Sequence, residues 1–231
     1  MPELSPQSVA FLVFPNVTQL DLTGPAQVLS RLGNTELNLV WKTKDPVPTD
    51  AAFPLLPTAT FDEIGHANIL CVPGGLGTMD IMQDKEVLDW LRQIADTADW
   101  VTSVCTGSLV LGAAGLLKGY RSACHWASID QLAYFDAIPV HERIVEDRNR
   151  FSGGGVTSGI DFALALAAKI RSEDFARFIQ LSIEYDPNPP FDAGSPDKVS
   201  PELLARYHKM IDAAMPDRAQ KVKAIAESLG F

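Results

Sequence analysis

The most reactive arrangement in the sequence is a thiol at a bend. In the stretch Trp100 to Leu117, WVTSVCTGSLVLGAAGLL, the β-branched residues Val101, Thr102 and Val104 run up to Cys105, and Thr106, Gly107 and Ser108 then lead into an apolar segment at helical spacing. The pattern predicts strand, tight turn and helix, with the cysteine at a nucleophile elbow. A thiol there faces the unpaired N–H groups and the positive dipole end of the new helix, which predicts a pKa below that of a free cysteine. Thiolate is the attacking form, so Cys105 is the expected nucleophile. The bland reading is a small buried apolar residue ending a central strand. Gly107, which allows close backbone approach, favours the reactive one.

Such a thiol has to be held by a sheet. Ser8 to Phe14, SVAFLVF, is a nearly continuous apolar run, as in a strand buried on both faces of a parallel sheet. Pro15 to Leu32 has helical periodicity, with Pro25 expected to kink it, and it places Asp21 just beyond the first strand. Leu37 to Lys42 reads as a second strand, and the Pro-rich stretch Asp45 to Pro57 as irregular. Ile69 to Val72 is a third strand, ending in the glycine turn Pro73-Gly74-Gly75-Leu76-Gly77, and Asp84 is placed to cap a helix over Lys85 to Ala98. The alternation of strands and helices predicts a doubly wound α/β fold with ligands at the carboxyl ends of its strands.

Beyond Leu117 the pattern loosens. It reads as a short strand over Arg121 to Trp126, a helix over Ser128 to Phe135, and a hairpin of Arg143 to Asp147 with Arg150 to Ser152 turning on Arg148 and Asn149. Gly153-Gly154-Gly155 precedes an apolar helix from Ser158, which suggests tight packing beside the elbow. A helix from Ser172 to Tyr185, a Pro-rich loop over Asp186 to Pro201 and amphipathic helices over Pro201 to Ala214 and Arg218 to Leu229 follow. Residues 1–231 are expected to form one domain, with 201–231 as its C-terminal helical extension.

In that fold Asp21, Gly75-Leu76 and Cys105 converge on one crevice. A carboxyl beside a thiolate resists carrying its own charge, so the pair is expected to share one proton, with Asp21 raised in pKa and acting as general acid. The N–H groups of Gly75 and Thr106 are candidates for holding developing negative charge. A cysteine hydrolase needs a base, usually histidine, yet Thr106 directly follows the cysteine. Of four histidines, His66 and His208 read as solvent-facing and His141 lies in a charged stretch, which leaves His125, beside Trp126, as the pocket candidate. The residues offer an acid and a nucleophile more readily than a nucleophile and a base.

Composition narrows the function class. Nineteen basic against 29 acidic residues give a formal net charge of −10, and no basic cluster stands out, so a nucleic-acid surface is not expected. No apolar run approaches the ~20 residues of a membrane span, and the N-terminus lacks the layout of a secretory signal. A soluble, cytoplasmic protein is expected. Cys71, Cys105 and Cys124 are an odd number without metal-ligand spacing, which argues for reduced thiols. Cys71 and Cys124 read as core.

The motifs Asp21-Leu22-Thr23-Gly24-Pro25, Pro73-Gly74-Gly75, Val104-Cys105-Thr106-Gly107 and Cys124-His125-Trp126 resemble the ThiJ/PfpI superfamily over at least Val9 to Lys169, and within it the isocyanide (isonitrile) hydratases. They also resemble the ligand-sensing domain of AraC-type regulators, which would add a helix-turn-helix module. The resemblance implies a flavodoxin-like fold, a homodimer, no cofactor, a nucleophile at Cys105 and a carboxyl partner at Asp21. Gly75, Leu76, Thr106, His125 and Trp126 are the expected pocket residues, and a small isocyanide the expected substrate. Superfamily relatives acting as proteases or glyoxalases place histidine after the cysteine, and Thr106 argues against both. A redox or electrophile sensor using Cys105 is the competing class.

Overall fold

A computed structural model describes residues 4–231. The chain runs β1 (Gln7–Leu12), α1 (Gln19–Leu29), β2 (Thr35–Trp41), the two-residue strands β3 (Val47–Pro48), β4 (Pro54–Leu55) and β5 (Ala59–Thr60), β6 (Ile69–Val72), α2 (Thr78–Ile81) and α3 (Lys85–Ala95). Then follow β7 (Trp100–Val104), α4 (Gly107–Ala113), β8 (Arg121–Ser122), a 3₁₀ helix at Ile129–Phe135, β9 (Ile138–Pro139), β10 (Ile144–Asp147) and β11 (Arg150–Gly153). The helices α5 (Ser158–Ile170), α6 (Glu173–Ser182), α7 (Pro201–Ala214) and α8 (Arg218–Leu229) complete the chain.

Seven strands form the central sheet in the order β10-β11-β7-β6-β1-β2-β5. Every neighbouring pair is parallel except the antiparallel hairpin β10–β11. This is the flavodoxin-type winding. From β1 the chain pairs outward with β2 and then crosses to β6 on the other side, which opens a crevice at the carboxyl ends of β1 and β6.

The core follows from the two-residue period of the strands. Val9, Phe11 and Val13 pack on one face with Leu22 and Leu29 of α1, Phe162 and Leu166 of α5 and Ile179 of α6. Ala10, Leu12 and Phe14 pack on the other with Leu91 of α3, Val110 of α4 and Val222 and Ile225 of α8. Strands covered on both faces are uniformly apolar, as the sequence predicts.

Several expectations shift. The first helix begins at Gln19, because the residues before it are drawn to the glycine turn: the Thr18 N–H donates to the Gly74 carbonyl at 2.9 Å. The Pro-rich stretch contains β3 and β4, and β5 just beyond it edges the sheet; strands of two residues carry no period to detect. Only Arg121 and Ser122 of the expected Arg121 to Trp126 strand are extended, and Ser128 to Phe135 coils as a 3₁₀ helix. Asp84 does cap α3, its Oδ1 accepting from the Val87 N–H at 3.3 Å. Among the described residues, no helix is long and apolar enough to cross a membrane.

Candidate active site

Cys105 follows β7 directly and has φ +57°, the left-handed region that a side chain with a Cβ rarely adopts. Its N–H donates to the Gly153 carbonyl of β11 at 3.1 Å, which ties the bend to the neighbouring strand. Of the three glycines expected to pack tightly beside the elbow, only Gly153, the last residue of β11, is crowded: a Cβ on it would lie 2.5 Å from Ser158 Oγ, whereas one on Gly155 would meet nothing within 4 Å. Gly107 opens α4 where a Cβ would come within 2.1 Å of the Val72 carbonyl oxygen, so only hydrogen fits between the new helix and the end of β6. The geometry is a strand, a strained single residue and a helix, as the sequence predicts.

Asp21, in the first turn of α1, is 1% exposed. Its Oδ2 accepts from the Gly74 N–H at 2.9 Å, its carboxyl faces the Cys105 thiol, and Oδ1 is buried without a formed hydrogen bond. Gly74 is required by space. A Cβ there would sit 2.6 Å from the Thr106 backbone nitrogen and 2.9 Å from Asp21 Oδ2. Burial pushes the Asp21 carboxyl up to about 7, with nearby Asp50 adding to the rise and the Gly74 N–H and the thiol opposing it.

The thiol departs from expectation. Cys105 is 6% exposed, and burial, reinforced by Asp21 and Cys124, pushes it well above the ordinary thiol range, although the N–H and hydroxyl of Thr106 pull it down. The helix behind it spans only Gly107–Ala113, so its dipole is too short to offset desolvation and a neighbouring carboxylate. Thiol and carboxyl both resist charge. Gly75 also differs from its expected role, because its N–H donates to Thr106 Oγ1 at 3.0 Å and is therefore not available to a reacting oxygen. Gly75 orients the Thr106 hydroxyl, and Thr106 contacts the sulfur.

A cavity of about 280 Å³ opens above the thiol, and Gly75, Leu76, Cys105, Thr106 and His125 line it. Leu76 stands half exposed at its edge. Burial and the nearby Arg218 cation lower the His125 pKa, so the imidazole is neutral at pH 7. His66 and His208 are exposed, as read from the sequence, and so is His141. Trp126 lies elsewhere. It lines an adjoining cavity of about 500 Å³ with Pro196, Leu203, Tyr207 and Met210. The rings remain neighbours, with centroids 5.5 Å apart.

The cavity has a cover that sequence reasoning missed. Tyr207 and Ile211 of α7, Met215, and Arg218 and Val222 of α8 close it, and Val156, Ser128 and Gln131 complete the wall. Burial pushes the Tyr207 phenol upward, with Arg218 opposing and Cys105 adding to the rise, and Arg218 donates to the Ala127 carbonyl. Amphipathic helices far along the chain carry no local mark of facing an active site. Cys71 and Cys124 are buried and pushed up to about 12 by that burial, consistent with core thiols. Among the described residues, no group of three or more His, Cys, Asp or Glu side chains gathers where it could hold a metal ion.

Similarity to known proteins agrees with the geometry. The chain is 47% identical over 223 residues to an isonitrile hydratase from Pseudomonas putida, covering 96% of this chain and 98% of that one. It superposes with a TM-score of 0.91, at 41% identity, on the crystal structure of a ThiJ/PfpI family protein from Pseudomonas syringae, covering 100% of this chain and 93% of that one. The HTH-type transcriptional regulator GbdR of Pseudomonas aeruginosa is 28% identical over 191 residues, covering 79% of this chain but 52% of the regulator. Residues 7–169, from the first strand to the end of α5, match the DJ-1/PfpI family. With the sheet order, the bend at Cys105 and this match in hand, the chain belongs to the DJ-1/PfpI family.

Proposed function

We propose that this protein is a cofactor-independent isocyanide hydratase, converting R–NC and water to the N-substituted formamide. The observation that carries the reading is the buried contact between the Cys105 thiol and the Asp21 carboxyl at the floor of a cavity whose one histidine is neutral and separate from the thiol's partner. With the carboxyl raised to about 7 and the thiol raised well above its ordinary range, the pair holds one proton between them above pH 7. The terminal carbon of an isocyanide can accept both the sulfur and that proton. A sulfur–carbon bond forms, Asp21 delivers the shared proton to the same carbon, and the product is the thioimidate R–N=CH–S–Cys105 with Asp21 ionised. Water then bonds to that carbon while nitrogen gains a proton. The carbon–sulfur bond breaks, the second water proton returns to the Cys105–Asp21 pair, and R–NH–CHO leaves. Gly74 and Gly75 hold Asp21 and Thr106 in place for the first step, and Thr106 steadies charge on the sulfur.

The hydratase named among the relatives matches nearly the whole chain, including α7 and α8, which favours this chemistry over regulation. A sensing cysteine is usually exposed and low in pKa, whereas Cys105 is neither. The working molecule is, on this reading, a cytoplasmic homodimer with α7 and α8 part of the catalytic domain. Exposed Phe178 and Leu181 on α6 offer an apolar face for a second copy, and sedimentation at micromolar concentration should give twice the monomer mass; a monomer would remove the dimer. The main test is a stoichiometric assay with an aryl isocyanide. Wild-type protein should yield one formamide per isocyanide consumed and Cys105→Ala none, whereas turnover by Cys105→Ala would refute the covalent route.

A further inference from the structure

Ser128-Ile129-Asp130-Gln131 has the S-x-x-Q spacing that at a helix start normally makes two reciprocal capping bonds. Here those side-chain bonds are not made. The 3₁₀ turn closes through its backbone, the Gln131 N–H donating to the Ser128 carbonyl at 3.0 Å, and the Ser128 side chain caps nothing. Ser128 Oγ and Gln131 Oε1 are buried without partners, in residues 2% and 6% exposed. Leaving a buried polar group unmatched costs about 1–3 kcal/mol, so a local solution declined at two positions points to another use. Side chains three apart eclipse in a 3₁₀ helix, and both residues line the cavity above Cys105. Among the described residues, the one other buried side-chain polar atom without a partner is Asp21 Oδ1, in the same site.

We propose that Ser128 and Gln131 bind the second substrate, water, and present it to the Cys105-bound carbon; the inference rests on the hydratase reading above. An isocyanide brings no N–H donor, so it cannot satisfy an amide oxygen. Water donates and accepts, and it can bridge a hydroxyl and an amide oxygen at once. In the step this subsite serves, the water oxygen bonds to the thioimidate carbon, one water proton goes to nitrogen, and the other returns to the Cys105–Asp21 pair as sulfur leaves. The pair of residues therefore acts after the covalent bond has formed and has no part in forming it.

That separation defines the experiment. Wild-type protein, Ser128→Ala, Gln131→Leu and the double variant are mixed with an aryl isocyanide; the adduct on Cys105 is followed by intact mass and formamide by chromatography. Methylamine is added to compete with water, since its attack on the same thioimidate gives the formamidine R–N=CH–NHCH₃ and free thiol. The variants should form the adduct at the wild-type rate, release formamide about tenfold more slowly each, and raise the formamidine-to-formamide ratio by about the same factor. Gln131→Glu, which keeps an acceptor oxygen, should retain more of the wild-type ratio than Gln131→Leu. An unchanged ratio in the double variant overturns the subsite, as does loss of adduct formation in step with release. Wild-type protein that forms neither adduct nor formamide overturns the hydratase reading and this one with it, and that result is distinct from the other two.

Discussion

The floor and the cover of the cavity are built on different principles. On the floor, Asp21, Gly74, Gly75, Cys105 and Thr106 come from the ends of parallel strands and are held by backbone contacts so close that a Cβ at Gly74 would touch both Thr106 and Asp21. The cover and the wall beside it, where Ser128, Gln131, Tyr207 and Arg218 stand, come from a 3₁₀ turn and two late helices, and two of their polar groups have no partner in the protein. A floor over-determined by backbone holds the sulfur and the carboxyl facing one another. A cover with unspent hydrogen-bonding capacity can meet small polar reactants. On the proposed mechanism, making the bond and breaking it fall to opposite walls.

Substitutions on the floor should have the largest effects. Cys105→Ala removes the nucleophile and should abolish formamide formation, while circular dichroism shows the fold retained. Asp21→Asn should lower kcat/KM by about 10²–10⁴-fold, the range of a lost general acid. In the wild type, kcat/KM should rise with pH through about 7, as the doubly protonated pair loses a proton, and stay level until the thiol ionises. That rise should vanish in Asp21→Asn, and its persistence would assign it to another group. Gly74→Ala should lose activity and melt lower, with about 1–3 kcal/mol of overpacking, because backbone must move to admit the new methyl.

Smaller effects concern stability. Asp21 titrates near 7 in the fold and near 3.8 in the unfolded chain, so between those values the folded state binds the extra proton. Its contribution is present below pH 3.8 and is lost as pH rises through 7. Asp21→Asn, which cannot ionise, should therefore gain on the wild type across that interval, by on the order of a few kcal/mol at pH 8 in urea titrations. Smallest is the strain at the bend. Cys105→Gly should exceed Cys105→Ala in stability by about 1 kcal/mol, because φ +57° suits glycine.

The same division explains what was legible in the sequence. The floor could be read because its chemistry lies at strand ends, marked by apolar runs, a glycine turn and a strand-to-helix change around Cys105. Strand order brings Asp21, Gly75 and Thr106 to one crevice, and the family resemblance is what singles them out there. The protonation of the thiol was misread, because a helix start is a local feature whereas burial and the facing carboxylate are tertiary ones. His125 lines the cavity above Cys105 and Trp126 the adjoining one, since adjacent residues in a loop need not share a cavity. Tyr207 and Arg218 were missed because amphipathic spacing shows that a helix packs without showing on what. Ser128 and Gln131 lay in a segment read simply as helix, and only the absence of their capping bonds sets them apart.

The central claim is that a buried carboxyl shares a single proton with the thiol. It is tested most directly by ¹³C NMR of protein labelled at the aspartate side-chain carboxyls, with the Asp21 signal assigned by its loss in Asp21→Asn. A midpoint near 7 is the expected result. A midpoint near 4, the ordinary value for an aspartate, would mean that the carboxyl ionises independently of the thiol and would contradict the shared proton on which the mechanism is built.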